Sequence, residues 1–214
     1  MKKITNPITI KKNLVVASLF VTAFEMLKTS VEDKIRGLLC EITGFDDEKG
    51  TLKTKVTPRY KEAILDRDIP EVTNKKSDFQ VFYASCLWFQ DSGAITEEEV
   101  KDLQAIRQHR NLIAHNPVRL LIDDATDVNL ELLKKAQYLL NKIDKWWILE
   151  IEMSISGEYD ADHGINETQV DSGMTLLLNY FMEVASEEVT AETNPPDAQP
   201  SQLIATLHDG NLPP

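Results

Sequence analysis

Glycine is scarce in this chain, 8 among 214 residues, and β-hairpin signals are few. No strand–helix alternation runs along it, which excludes a doubly wound α/β fold, and no glycine-rich loop is present to cradle a nucleotide phosphate. Only two cysteines occur, Cys40 and Cys86, each in an apolar, helix-like run with no second Cys or His at metal-ligand spacing. That excludes a disulfide framework and a zinc site, and predicts two reduced core thiols in a cytoplasmic protein with no metal and no cofactor. Basic residues are outnumbered, 23 Lys and Arg against 35 Asp and Glu, for a formal net charge of -12. A surface of that sign excludes broad, nonspecific binding to nucleic acid but leaves room for a small local phosphate site. No internal repeat is present. The apolar run from Leu14 to Phe24 is too short to span a bilayer, and Glu25 and Lys28 follow it without a small-x-small cleavage site. Neither a signal peptide nor a membrane span is expected.

One local shortage runs against the overall composition. From Leu103 to Ile122 there is no Asp or Glu, although the chain is acidic. The same window holds Arg107, Arg110 and Arg119, with His109 and His115. Carboxylates there would compete with an anion for the guanidinium groups, so their absence fits an anion site.

What is present in quantity is helical periodicity. Apolar positions continue past Phe24 through Leu27, Val31, Ile35, Leu38 and Ile42, predicting a long first helix from about Asn13 to Thr43, stopped by Gly44. Residues 45–57 read as a polar loop, and Pro58 to Arg67 as a short helix. A second main helix starts at Ser77 or Asp78, ends at Gly93, and is apolar around much of its circumference, which predicts central burial. Thr96 followed by Glu99 fits a capping box for a third helix, and Pro117 disfavours helix at Asn116, so this helix ends or kinks near His115. A fourth helix is predicted from about Asp127 to Met153, then a polar loop, then a fifth helix from Met174 to Ala185. Residues 186–214 are Pro-rich, acidic and poor in aromatics, and read as a disordered tail. The fold class is therefore all-α, an antiparallel bundle of four to five helices over 13–185, with residues 1–12 as an N-terminal extension.

On the third helix Arg107, Arg110 and Ala114 share a stripe, and Asn111 and His115 form an adjoining pair, so these four polar residues are expected to face one cleft. Two guanidinium forks, an amide and an imidazole suit a phosphodiester: Arg binds phosphate oxygens in bidentate fashion, and imidazole moves protons near neutral pH. The hexapeptide Arg110-Asn111-Leu112-Ile113-Ala114-His115 resembles the signature of HEPN domains, an Arg, a polar residue often Asn, and a His a few positions on. The match is close over six residues, and the helix count extends it loosely over about residues 10–185.

The resemblance implies an HEPN-like helical bundle and a metal-independent endoribonuclease that works as a homodimer, with two motifs meeting in one cleft. Arg110 and His115 would then be catalytic, using the ribose 2′-hydroxyl as nucleophile and leaving a 2′,3′-cyclic phosphate, with Asn111 orienting His115 or touching the phosphate. Such proteins serve as toxins or in antiviral defence, which adds an antitoxin or another defence-system protein to RNA as partners. Some HEPN toxins carry a Tyr two residues after the His; Pro117 stands there in this chain, against membership of the subgroup whose Tyr is modified. Other members bind or scaffold without cleaving, so a non-catalytic dimeric interaction or nucleotide-binding module is the alternative.

Around this centre, Arg107 and Arg119 are candidate phosphate-binding residues, and Arg119 reads equally as a solvated loop residue. Glu25, on the otherwise apolar face of the first helix, is the expected carboxylate partner of Arg110, either as a purely structural pair or as its orienting group. His109 is expected at the helix surface or cleft rim. Of Trp146 and Trp147, one is expected in the core and the other at a surface.

Overall fold

The apolar stripe of the first helix decides the architecture, because it recurs every three to four residues for most of the helix length. The computed structural model describes residues 7–48, 50–70, 72, 77–122, 127–156 and 170–193. Helix α1 (Pro7–Leu39) buries Phe20, Phe24, Leu27, Val31 and Ile35. It is long and apolar enough to cross a membrane by length and composition, but the bundle accounts for its stripe. Around it pack α3 (Asp78–Asp91), α4 (Glu97–His115), α6 (Leu130–Trp147) and α8 (Gly173–Thr193). Phe82 and Phe89 of α3, Leu103 and Ile106 of α4, and Leu139, Leu140 and Ile143 of α6 complete the core. Each such side chain withdrawn from water contributes about 1.5–3 kcal/mol before chain entropy is charged against it.

Helix α1 ends earlier than its apolar period suggests. Leu39 is its last residue, and the Leu39 carbonyl accepts a hydrogen bond from the Thr57 hydroxyl. Beyond it a hairpin, β1 (Glu41–Asp46) and β2 (Thr51–Lys55), occupies most of the segment expected as loop. The strands pair antiparallel with an irregularity between Ile42 and Gly44, and Gly50 takes φ +62° in the turn, where a side chain would be strained. Ile42 and Phe45 stay exposed, so the hairpin lies outside the core. That is why core periodicity does not reveal it.

Other boundaries follow local chemistry. Ser77 caps α3, and its far end is a Schellman motif: the Gly93 amide donates to the Gln90 carbonyl and the Ala94 amide to the Phe89 carbonyl, with Gly93 at φ +80°. The capping box of α4 is formed, Thr96 Oγ1 accepting from the Glu99 amide and the Glu99 carboxylate accepting from the Thr96 amide at 2.7 Å. The same carboxylate takes the Lys142 ammonium at 2.7 Å, which ties α4 to α6. After α4 the chain turns at Asn116 and restarts as α5 (Pro117–Ile122), with Pro117 in the first turn. The short α2 (Pro58–Tyr60) continues as a π-helical turn, Lys61–Leu65. A second π-helical turn, Ile148–Glu152, follows α6 and leads into α7 (Met153–Ser156). Helix α8 runs on to Thr193, so residues 186–193, read as tail from composition, are helical, while 194–214 lie outside the described residues. Among the described residues the fold is predominantly helical with one small two-stranded sheet.

Beneath α8 lies a polar knot. Asp144 of α6 is fully buried and accepts from the Ser30 hydroxyl, the Ser172 hydroxyl and, at 2.6 Å, the Lys34 ammonium. Ser172 in turn accepts from the Thr175 amide at 3.0 Å, so one carboxylate joins α1, α6 and the start of α8. Both cysteines are buried and free. Trp147 is in the core, and Trp146 packs edge-on against Trp88 and Phe89 rather than standing free at a surface.

Candidate functional site

The cationic turn of α4 opens into a cleft of about 470 Å³, its solvent-open mouth included, between α1, α3 and α4. Helix α1 contributes Phe24, Glu25 and Lys28; α3 contributes Asp78, Phe79 and Phe82; α4 contributes Arg107, Arg110 and Asn111. Those α4 residues sit a turn apart on the side that faces α1 and α3, while Leu103, Ile106 and Ile113 turn into the core.

The two guanidinium groups differ in how they are held. The Cζ of Arg107 lies 3.9 Å from the centroid of the Phe79 ring, itself stacked on Tyr83 at 5.6 Å. Among the described residues Arg107 has no hydrogen-bond or ion-pair partner, so cation–π contact alone positions it. Partial burial, and then the neighbouring Arg110 charge, pull its pKa below the usual arginine value. An unpaired guanidinium beside a second one makes a local field that an anion relieves. Arg110 donates from Nη2 to the Glu25 carboxylate and from Nη1 to Asn111 Oδ1 at 3.3 Å, with its Cζ 5.5 Å from the Phe24 ring. Its Nε is buried without a partner. The Glu25 side chain is 44% exposed and that of Arg110 29%, so the pair is worth at most about 1 kcal/mol and can exchange for another anion. Lys28, Arg107 and Arg110 against Glu25 and Asp78 leave the cleft one positive charge in excess.

Behind this wall stands a carboxyl group that periodicity alone does not single out. Glu32 Oε2 is 3.7 Å from the Lys28 ammonium, too long for a hydrogen bond, and Oε1 is buried without a partner. Burial pushes the Glu32 pKa up from 4.5 to about 7, against the pull of Lys28 and Arg36 and helped by Asp78 and Asp33.

The sequence-predicted residues are thus only partly gathered. Arg107, Arg110, Asn111 and Glu25 share the cleft. His115 does not line it: five positions beyond Arg110, it lies about 140° further round the helix, exposed at the C-terminus of α4. Arg119 is exposed on α5, also outside the cleft. His109 is half-buried and does not line the cleft. Its Nε2 accepts from the Asn129 amide at 2.9 Å, it packs edge-on against Phe20, and burial lowers its pKa. Lys28, Asp78 and Phe79 were not expected in the site, although Lys28 follows Glu25 at i+3 after the apolar run Leu14 to Phe24, which was a signal. Among the described residues, no group of three or more His, Cys, Asp or Glu side chains converges as metal ligands do. No protein-family model matches the chain, and no curated protein or solved structure matches it either.

Proposed function

We propose that this protein is an HEPN-type, metal-independent endoribonuclease, and that the cleft between α1, α3 and α4 holds an RNA phosphodiester. The observation that carries the reading is the unpaired Arg107 guanidinium beside Arg110 and Asn111 in one open cleft. Two forks and an amide match the oxygens of a phosphodiester, and the Phe79 ring holds the Arg107 fork in the cleft. His115, exposed at the end of α4 just before α5, supplies proton transfer from a second copy of the chain. Support for a second copy comes from Leu112 and Val118, apolar yet 47% and 64% exposed on the segment that carries His115. The resemblance of the Arg110–His115 hexapeptide supplies the reaction class, transfer to the 2′-hydroxyl with a cyclic phosphate product, and a role as toxin or defence component in a cytoplasmic setting.

The test is incubation of purified protein with RNA in EDTA, followed by analysis of the product ends. Cleavage with cyclic phosphate ends is expected, with loss of activity in the Arg110→Ala, His115→Ala double variant. Cleavage of wild-type strength by that variant refutes the assignment. A second reading, a non-catalytic phosphodiester-binding module, is favoured by the placement of His115 away from Arg110 in the single chain. It predicts RNA binding that Arg107→Ala and Arg110→Ala weaken, without any cleavage.

A further inference from the structure

The Lys28–Glu32 pair sits where the cleft wall meets the core, and neither residue is used by the reading above. Lys28 lines the cleft with Arg107 and Arg110, yet its ammonium leans toward Glu32 at 3.7 Å. The Glu32 side chain is 16% exposed, and one of its oxygens is buried without any partner. A carboxylate in that position is poorly solvated, and its nearest compensation is Lys28. The groups around it are known from every helix it faces. On α1 they are Lys28, Asp33 and Arg36; from α3 come Asp78 and the buried thiol of Cys86; from α2 comes Tyr60, which also faces Arg36.

Resting on the reading that the cleft takes a phosphodiester, we propose that Lys28 is a third cation of that anion site and that Glu32 controls it by protonation. With Glu32 ionised, Lys28 neutralises a carboxylate. With Glu32 protonated, the ammonium is free to swing to the bound anion, and the cleft gains one unit of positive charge. The reaction is a proton uptake only: the carboxylate oxygen of Glu32 takes a proton from water as the anion enters. By linkage the effect is reciprocal, so a bound anion raises the affinity of Glu32 for its proton. Burial has already brought this group to about 7, so the linkage operates near neutral pH.

The probe is a deoxyribodinucleotide, whose phosphodiester stays monoanionic over the range used and which lacks the 2′-hydroxyl needed for cleavage. Binding to the full chain is followed by NMR titration at about pH 6 and about pH 8. Wild-type protein is expected to bind roughly threefold to tenfold more tightly at the lower pH. Glu32→Gln holds the tighter affinity at both values, and Lys28→Gln binds weakly at both. Retention of the wild-type pH dependence by Glu32→Gln overturns the proposal, because its source then lies in a group other than Glu32. Full affinity in Lys28→Gln overturns it equally. A second measurement needs no substitution: the carboxyl carbon of Glu32 in wild-type protein is expected to titrate near neutrality, with a midpoint that rises when the dinucleotide is bound. A midpoint unmoved by saturating dinucleotide defeats the linkage while leaving the cleft assignment standing. Absence of binding at either pH defeats both.

Discussion

Replacing Arg110 by Ala separates a structural arginine from a working one, because the structure sets different magnitudes for the two roles. The ion pair with Glu25 is partly exposed on both sides and contributes at most about 1 kcal/mol. The Phe24 contact at 5.5 Å adds about 0.5–1 kcal/mol. A total loss of about 1–2 kcal/mol lowers Tm by roughly 2–8 °C in a domain of this size. A deeply buried pair would instead lose about 3–5 kcal/mol when broken, and the shift would be roughly 6–20 °C. On the binding side, a bidentate charge-assisted contact is worth about 1.5–3 kcal/mol, so affinity for a phosphodiester falls roughly tenfold to a hundredfold. Thermal melts paired with fluorescence anisotropy on a labelled, 2′-O-methylated RNA measure both quantities. Arg110→Lys keeps the charge without the fork and is expected to lie between wild type and Ala in binding, with little change in Tm. A Tm loss well beyond 10 °C, with RNA affinity unchanged, would falsify the assignment of Arg110 to an anion site and make it a fold residue.

Glu25→Gln removes the carboxylate that occupies the Arg110 fork, and the same anisotropy assay is expected to show severalfold tighter RNA binding; weaker binding would mean that Glu25 orients the fork rather than competes for it. Asp144→Ala strands the Ser30 and Ser172 hydroxyls and the Lys34 ammonium, so chemical denaturation should report a loss of about 3–5 kcal/mol, with Asp144→Asn losing less, and equal stability of all three proteins would exclude a structural role for the knot. For His109 the folded pKa is lowered by burial, so the unfolded chain binds the proton more readily. Its contribution is therefore present above the ordinary value of about 6.5 and is lost as pH falls below it. Melts across that range should show a decline that His109→Gln flattens, and a decline of the same slope in the variant would place its source elsewhere.

Much of the fold was legible because helix formation is a local and periodic matter. The i, i+3, i+4 recurrence from Phe20 to Ile35 marks α1, Thr96 and Glu99 mark the start of α4, and Gly93 marks the end of α3. Each signal acts within a few residues of the structure it creates. Legibility failed where the determinant was distant or the segment left the core. The hairpin at Glu41–Lys55 exposes Ile42 and Phe45, so no burial pattern records it. The end of α1 is set by Thr57, eighteen positions beyond Leu39. Helix α8 continues past Ala185 into residues whose acidic composition read as tail.

The candidate site divides along the same line. By itself the sequence determined an acid-free, cationic second half of a helix, with Arg107 a turn from Arg110 and Asn111 on one side, because helical spacing depends only on position along the chain. Only the tertiary structure decided which acids that helix meets. Glu25 reaches Arg110 across a separation of 85 positions, and Asp78 enters from α3, so these two carboxylates offset the guanidinium charges of the acid-free stretch. Tertiary packing alone also left Arg107 without a carboxylate, moved His109 into a structural hydrogen bond, and set His115 on another side of α4. It buried one oxygen of Glu32 with nothing to satisfy it, since desolvation arises only when several helices close over the same group.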